Sequence, residues 1–159
     1  MNDRKLSRGP LLLLASLVVV IDQVSKTLVA SVLADGRTIP LIPGLLEGRL
    51  VHNTGAAFSL FRDSVHWLGG LSLAVTAGLL IWLSRQRSLP VWQGMAVAFL
   101  LGGTIGNGLD RWRLGHVIDF LSLVPIHFPI FNPADVAINL AVLCFGLDLW
   151  STRKPSNHG

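Results

Sequence analysis

Two aspartates, Asp119 and Asp135, stand at either end of a segment, HVIDFLSLVPIHFPIFNPAD, that is otherwise apolar or proline-rich. Carboxylates beside strongly hydrophobic runs are costly to keep, and two that a turn can fold together suit acid–base chemistry on a shared proton. Pro125, Pro129 and Pro133 lie in or just after the turn between them. Asn132, Pro133 and Asp135 also fit the N-cap, N1 and N3 positions of a helix. Capping accounts for Asp135 as well as chemistry does, but it leaves Asp119 unexplained.

Other polar residues sit where the chain is apolar. Asp22 and Lys26 lie four apart in IDQVSK and share a helical face. They read as a compensating ion pair, with the lysine stem able to snorkel outward, or as a brace for a polar site on neighbouring helices. Asn53 in HNTGAAF is followed by Gly55, so the glycosylation sequon fails; it reads as a turn residue or as a holder of substrate backbone. In GGTIGNGLDR, Gly102, Gly103 and Gly106 permit close helix packing or close substrate approach. Asp110 and Arg111 suit a local ion pair, which leaves Asn107 without a partner.

Several chemistries find no residues. The glycine-rich run has no preceding strand and no following G-K-[ST], which rejects a P-loop, and there is no serine elbow. His52, His66, His116 and His127 lack metal-site spacing and read as isolated interfacial histidines, so no metal and no cofactor are expected. Cys144, the one cysteine, sits in an apolar run and reads as a buried, inert thiol.

The elements that must position these groups are membrane spans. The chain has 159 residues, 51% hydrophobic and 14% charged, with a mean hydropathy of +0.58. Too few polar residues remain to coat a soluble globule. A pI near 10.2 and net charge of +4 do not indicate nucleic acid, because the basic residues bracket apolar segments and form no single patch. Apolar runs over about 10–33, 65–83, 92–109 and 133–150 predict four transmembrane helices in one integral membrane domain spanning 1–159. The first run imitates a signal peptide but is long enough to span and lacks a cleavage site, so it is expected to be retained.

Arg4, Lys5, Arg8, Arg85, Arg87, Arg153 and Lys154 fall on one side, and Arg37, Arg49, Arg62, Arg111 and Arg113 on the other. That bias puts both termini in the cytoplasm and both aspartates near the outer face. Residues 34–64, rich in Gly, Pro and short apolar pairs, predict a small β-type platform there, with alternation around Gly48 to His52. The fold class is therefore all-α membrane protein, four spans with an outer β platform.

Five blocks occur in order, DQVSK (22–26), NTGAAF (53–58), GGTIGNGLDR (102–111), VIDF (117–120) and FNPAD (131–135). Together they resemble the lipoprotein signal peptidases, the bacterial signal peptidase II family. The resemblance implies an aspartic endopeptidase of the bacterial cytoplasmic membrane that removes the signal peptide from diacylglyceryl-modified prolipoproteins, cutting before the lipid-bearing cysteine. It carries catalysis to Asp119 and Asp135, and substrate binding or support to Asp22, Lys26, Asn53, Gly103, Asn107, Arg111, Asn132 and Ala134. It also implies inhibition by the cyclic peptide globomycin. Gly108 departs from the family pattern, which favours a bulkier apolar residue there. The rival from the residues alone is a small proton-coupled transporter with Asp22, Lys26, Asp119 and Asp135 as a relay; the absence of repeat symmetry and the gathering of polar groups at one face count against it.

Overall fold

The computed structural model describes residues 4–55 and 65–152. Four long helices carry the chain: α1 (Arg8–Val32), α2 (Val65–Arg85), α3 (Val91–Leu114) and α4 (Pro133–Thr152). Their positions match the four apolar runs within a few residues. Three of them, α1, α2 and α4, are long and apolar enough to cross a membrane. The fourth, α3, is the hub against which the other three pack. It buries Gly94, Gly102, Gly103, Thr104, Gly106, Asn107 and Asp110, so its average hydropathy is diluted by the residues that face inward.

The bundle is apolar outside and polar within. On α1, Leu11, Ala15, Asp22 and Lys26 share the buried face while Leu13, Val20 and Val24 are exposed. Lipid offers no hydrophobic drive for helix association, so close approach must supply it. A Cβ on Gly102 would stand 2.7 Å from Val18 of α1, and one on Gly103 would stand 2.6 Å from the Ala134 carbonyl of α4. Gly106 is equally tight against Asp22. Gly108 faces α2, where a Cβ would meet Ser72 at 3.1 Å, so a bulkier residue would require Ser72 to give way.

Tryptophans mark both ends. Trp67 and Trp112 lie at one end of the bundle, Trp82, Trp92 and Trp150 at the other, as expected for interfacial belts.

Each end also carries a sheet. At the first, β2 (Thr38–Ile42), β3 (Leu46–Asn53) and β5 (Val117–Leu123) form an antiparallel sheet in the order β2-β3-β5. Of the β platform expected over 34–64, the described part holds β2 and β3, while 56–64 lie outside the described residues; the third strand comes from the connection after α3, read from the sequence only as a turn-bearing loop. A register shift between Gly48 and Val51 sets Val51 opposite Asp119 and Asn53 opposite Val117. At the other end, β1 (Lys5–Ser7) pairs with β4 (Ser88–Pro90), and Arg8 Nη1 donates to the Ser84 carbonyl at 2.8 Å. These three-residue strands clasp the N-terminal segment to the α2–α3 connection, so the basic residues of both share one end. Arg62, Arg153 and Lys154 lie outside the described residues, as do 56–58 of NTGAAF.

Candidate active site

The segment between β5 and α4 closes on itself. Phe131 is its pin: its carbonyl accepts the Phe120 and Leu121 N–H groups at 3.0 and 2.8 Å, and its N–H donates to the Leu121 carbonyl at 3.1 Å. The proline-bearing residues between leave as a loop, and Asn132 is delivered beside Asp119.

Asn132 begins α4 and does two things. Its Oδ1 accepts the Asp135 N–H at 3.0 Å while Asp135 Oδ2 accepts the Asn132 N–H at 3.1 Å, a reciprocal cap. Its Nδ2 donates to Asp119 Oδ1 at 2.6 Å and to Asn107 Oδ1 at 3.0 Å. The capping and chemical readings of Asp135 are thus compatible: the cap is what holds the carboxylate in place. Asn53 Nδ2 donates to Asp119 Oδ2 at 2.8 Å, and its Oδ1 accepts the Gly55 N–H at 2.9 Å, a local turn. Asn107 Nδ2 donates to Asp135 Oδ1 at 2.8 Å. All three asparagines therefore turn their amides to carboxylates. In the free protein these amides orient the two acids.

Beneath this layer lies a buried charge cluster. Lys26 Nζ is 2.9 Å from Asp22 Oδ2, 2.8 Å from Asp110 Oδ2 and 3.0 Å from Asn107 Oδ1, and only 2% of its side chain is exposed. It does not snorkel; its ammonium has better partners inside. Asp110 pairs with Lys26 and not with Arg111, and it also accepts the Ile118 N–H at 3.2 Å and Gln23 Nε2 at 2.9 Å. It therefore ties the backbone immediately before Asp119 to α1. Asp22 accepts the Ala134 N–H at 3.0 Å, one residue before Asp135. Every expected site residue is in or against this constellation: Gly103 lets Ala134 approach, and Arg111 reaches the Asn107 and Gly55 carbonyls at 3.3 and 3.4 Å.

Asp110 and Gln23 were missed in the sequence. Asp110 lies three and seven residues beyond Asn107 and Gly103, on one α3 face, and that periodicity was the available signal. His52 and His116 are not isolated: their rings sit 4.3 Å apart. Cys144 is buried and unpaired, as read.

Asp119 and Asp135 open onto one cleft of about 1140 Å³. Its polar end holds Asn53, Asn107, Arg111 and the two acids; its apolar wall runs down α4 through Ile138, Leu140 and Leu143. Asp119 is 3% exposed. Burial pushes its carboxyl up to about 6, against the Asn53 hydrogen bond that favours the charged form, and the Asp135 charge pushes the same way as burial. Among the described residues no group of three or more His, Cys, Asp or Glu is placed to hold a metal. The arrangement can move protons at a peptide bond brought in along an apolar helix.

Comparison with known proteins agrees. A family model described as signal peptidase (SPase) II matches residues 14–151. A protein named lipoprotein signal peptidase from Parasynechococcus marenigrum (strain WH8102) is 74% identical over 159 residues, all of both chains. Another of that name from Synechococcus sp. (strain RCC307) is 57% identical over 135 residues, 84% of this chain and 89% of its own. A bacterial membrane enzyme solved by the in meso method at 2.3 Å superposes with a TM-score of 0.86 at 25% identity, covering 95% of this chain and 93% of that one.

Proposed function

The chain belongs to the signal peptidase II family and is a multi-pass membrane protease; from that premise we propose that Asp119 and Asp135 are its catalytic pair, acting on diacylglyceryl-modified prolipoproteins just before the lipid-bearing cysteine. The transporter alternative has no support in the relatives. One observation carries the assignment of the pair: both carboxylates are hydrogen-bonded to Asn132 at the polar end of one cleft whose other wall is an apolar helix face.

Peptide hydrolysis needs a nucleophilic water and a proton for the leaving amine. Two carboxyl groups close together in a desolvated site do not both ionise readily, so the pair retains one proton. Asp119 is the more buried of the two, and burial pushes its carboxyl up to about 6, so it can hold that proton in the free enzyme. Asp135 then takes a proton from water while neutral Asp119 donates to the scissile carbonyl oxygen, and the roles reverse as the tetrahedral intermediate collapses and the amine leaves. The macroscopic titration belongs to the pair. The signal helix lies along the Ile138 to Leu143 wall, leaving the acyl chains in lipid. Support passes to Asp119 and Asp135 from Asn53, Asn107 and Asn132, and behind them from Lys26, Asp22, Ala134 and Gly103; Arg111 stands beside the bond to be cut.

In this reading α3 also spans, giving four transmembrane helices. Its 24 residues reach about 36 Å, and Trp92 and Trp112 stand near its two ends, one in each belt. The termini are cytoplasmic, the site faces outward in the bacterial inner membrane, and globomycin competes for the cleft.

The test is mobility shift of a purified lipid-modified precursor with Asp119→Asn and Asp135→Asn enzymes in proteoliposomes. Wild type should cleave and each variant should lose at least about 100-fold in kcat while retaining its unfolding transition. Residual activity within tenfold of wild type in either variant would remove that residue from the pair.

A further inference from the structure

Another cleft among the described residues lies toward the other end of the bundle, away from the acids. It holds about 450 Å³ between α2, α3 and α4, and its walls, among them Leu79, Trp82, Val97, Leu100 and Phe145, are almost wholly apolar. The mouth is different. Leu79 and Trp82 line the groove three residues apart on α2, and Arg85 follows one turn after Trp82, exposed at the helix end. Arg87 follows in the α2–α3 turn and is exposed as well. The α3 N-terminus opens at the same end: its N-cap is Pro90, which makes no side-chain cap, and its first turn carries no acid. Uncapped N–H groups and the positive end of the helix dipole therefore stand beside two guanidinium groups. The opposing acid is Asp148, one turn beyond Phe145 on α4, and it leaves the mouth net positive.

We propose that this groove is a site for one anionic glycerophospholipid, its acyl chain laid against Trp82, Val97 and Phe145 and its phosphodiester at Arg85 and the α3 N-terminus. An apolar slot of this shape in a bilayer is filled by a chain in any case; what the mouth adds is selection by head-group charge. The lipid comes from the leaflet at the C-terminal end of α2, the cytoplasmic one in the orientation proposed above. Chain insertion between α2 and α4 where neither covers α3 also fills a gap in the bundle, so occupancy should raise thermal stability.

Delipidated full-length protein in dodecyl maltoside, titrated with phosphatidylglycerol or phosphatidylcholine and followed by native mass spectrometry and thermal unfolding, tests this. Phosphatidylglycerol should bind one equivalent at least tenfold more tightly than phosphatidylcholine and raise Tm. Arg85→Gln with Arg87→Gln should erase that preference without changing the fold, since both side chains are exposed. Val142→Trp, which fills the groove from its exposed wall, should abolish the tight equivalent for either lipid. Equal affinity for the two lipids, or a preference that survives the double arginine variant, overturns the proposal in favour of annular lipid only. Cleavage of the precursor is scored separately, so loss of lipid selectivity and loss of catalysis are distinguishable.

Discussion

Lys26→Met keeps most of the side-chain volume and deletes one ammonium from a place where it has three acceptors, at 2.8, 2.9 and 3.0 Å. Asp22 and Asp110, exposed by only 0% and 2%, are left facing each other without a cation. Removing one partner of a buried ion pair costs about 3–5 kcal/mol, because the remaining charge is uncompensated. At about 1.4 kcal/mol per tenfold, the folded-to-unfolded ratio should fall by roughly two to four orders of magnitude. Titration of detergent-solubilised enzyme with sodium dodecyl sulfate, followed by tryptophan emission, reads that loss. The triple variant Asp22→Asn, Lys26→Met, Asp110→Asn removes the whole charge set and should recover most of the stability. It should not recover full cleavage, because Asn107 Oδ1 loses one of its two donors, keeping only Asn132 Nδ2, which loosens the aim of its Nδ2 at Asp135. Lys26→Met within 1 kcal/mol of wild type, or full kcat in the triple variant, would refute this account of the cluster.

Asn132→Ala should lose about 1 kcal/mol from the α4 cap and about 100-fold in kcat, with KM little changed, since misaimed acids cost rate more than binding; steady-state kinetics separate the two. The alkaline limb of kcat/KM should sit near 6 in wild type, where neutral Asp119 is lost as pH rises. In Asn53→Ala the limb should move to higher pH, because the deleted hydrogen bond favours the charged form; a limb that moves down contradicts the assignment. Gly103→Ala should destabilise by about 1–3 kcal/mol through overpacking against Ala134. Gly78→Ala, where a Cβ meets nothing within 4 Å, should be neutral or stabilising by up to about 1 kcal/mol; thermal unfolding of the pair provides the comparison.

The helices were legible because three are long apolar windows and α3 carries the apolar run AVAFLL, and the charges within them were legible as anomalies. β5 was not, since VIDFLSL places apolar residues on both faces, with Asp119 and Ser122 one on each, and so shows no alternation that marks a strand. β1 and β4 are three residues each, too short for any periodicity. Asp22 and Lys26 were correctly paired from spacing, but spacing within one helix has no information about Asp110, 84 positions beyond Lys26. For the asparagines the sequence leaves both substrate binding and support open, because a polar amide near a site has several possible partners and only packing selects among them.

The cap at the start of α4 links two properties that enzymes often keep separate. Because Asn132 and Asp135 satisfy each other's backbone, fraying of that single helical turn releases Asp135 and frees the amide bonded to Asp119 together. Heat should therefore silence the protein below the temperature at which its bundle comes apart, and a lipid or ligand that merely tightens this turn would act as an activator without touching a reacting atom.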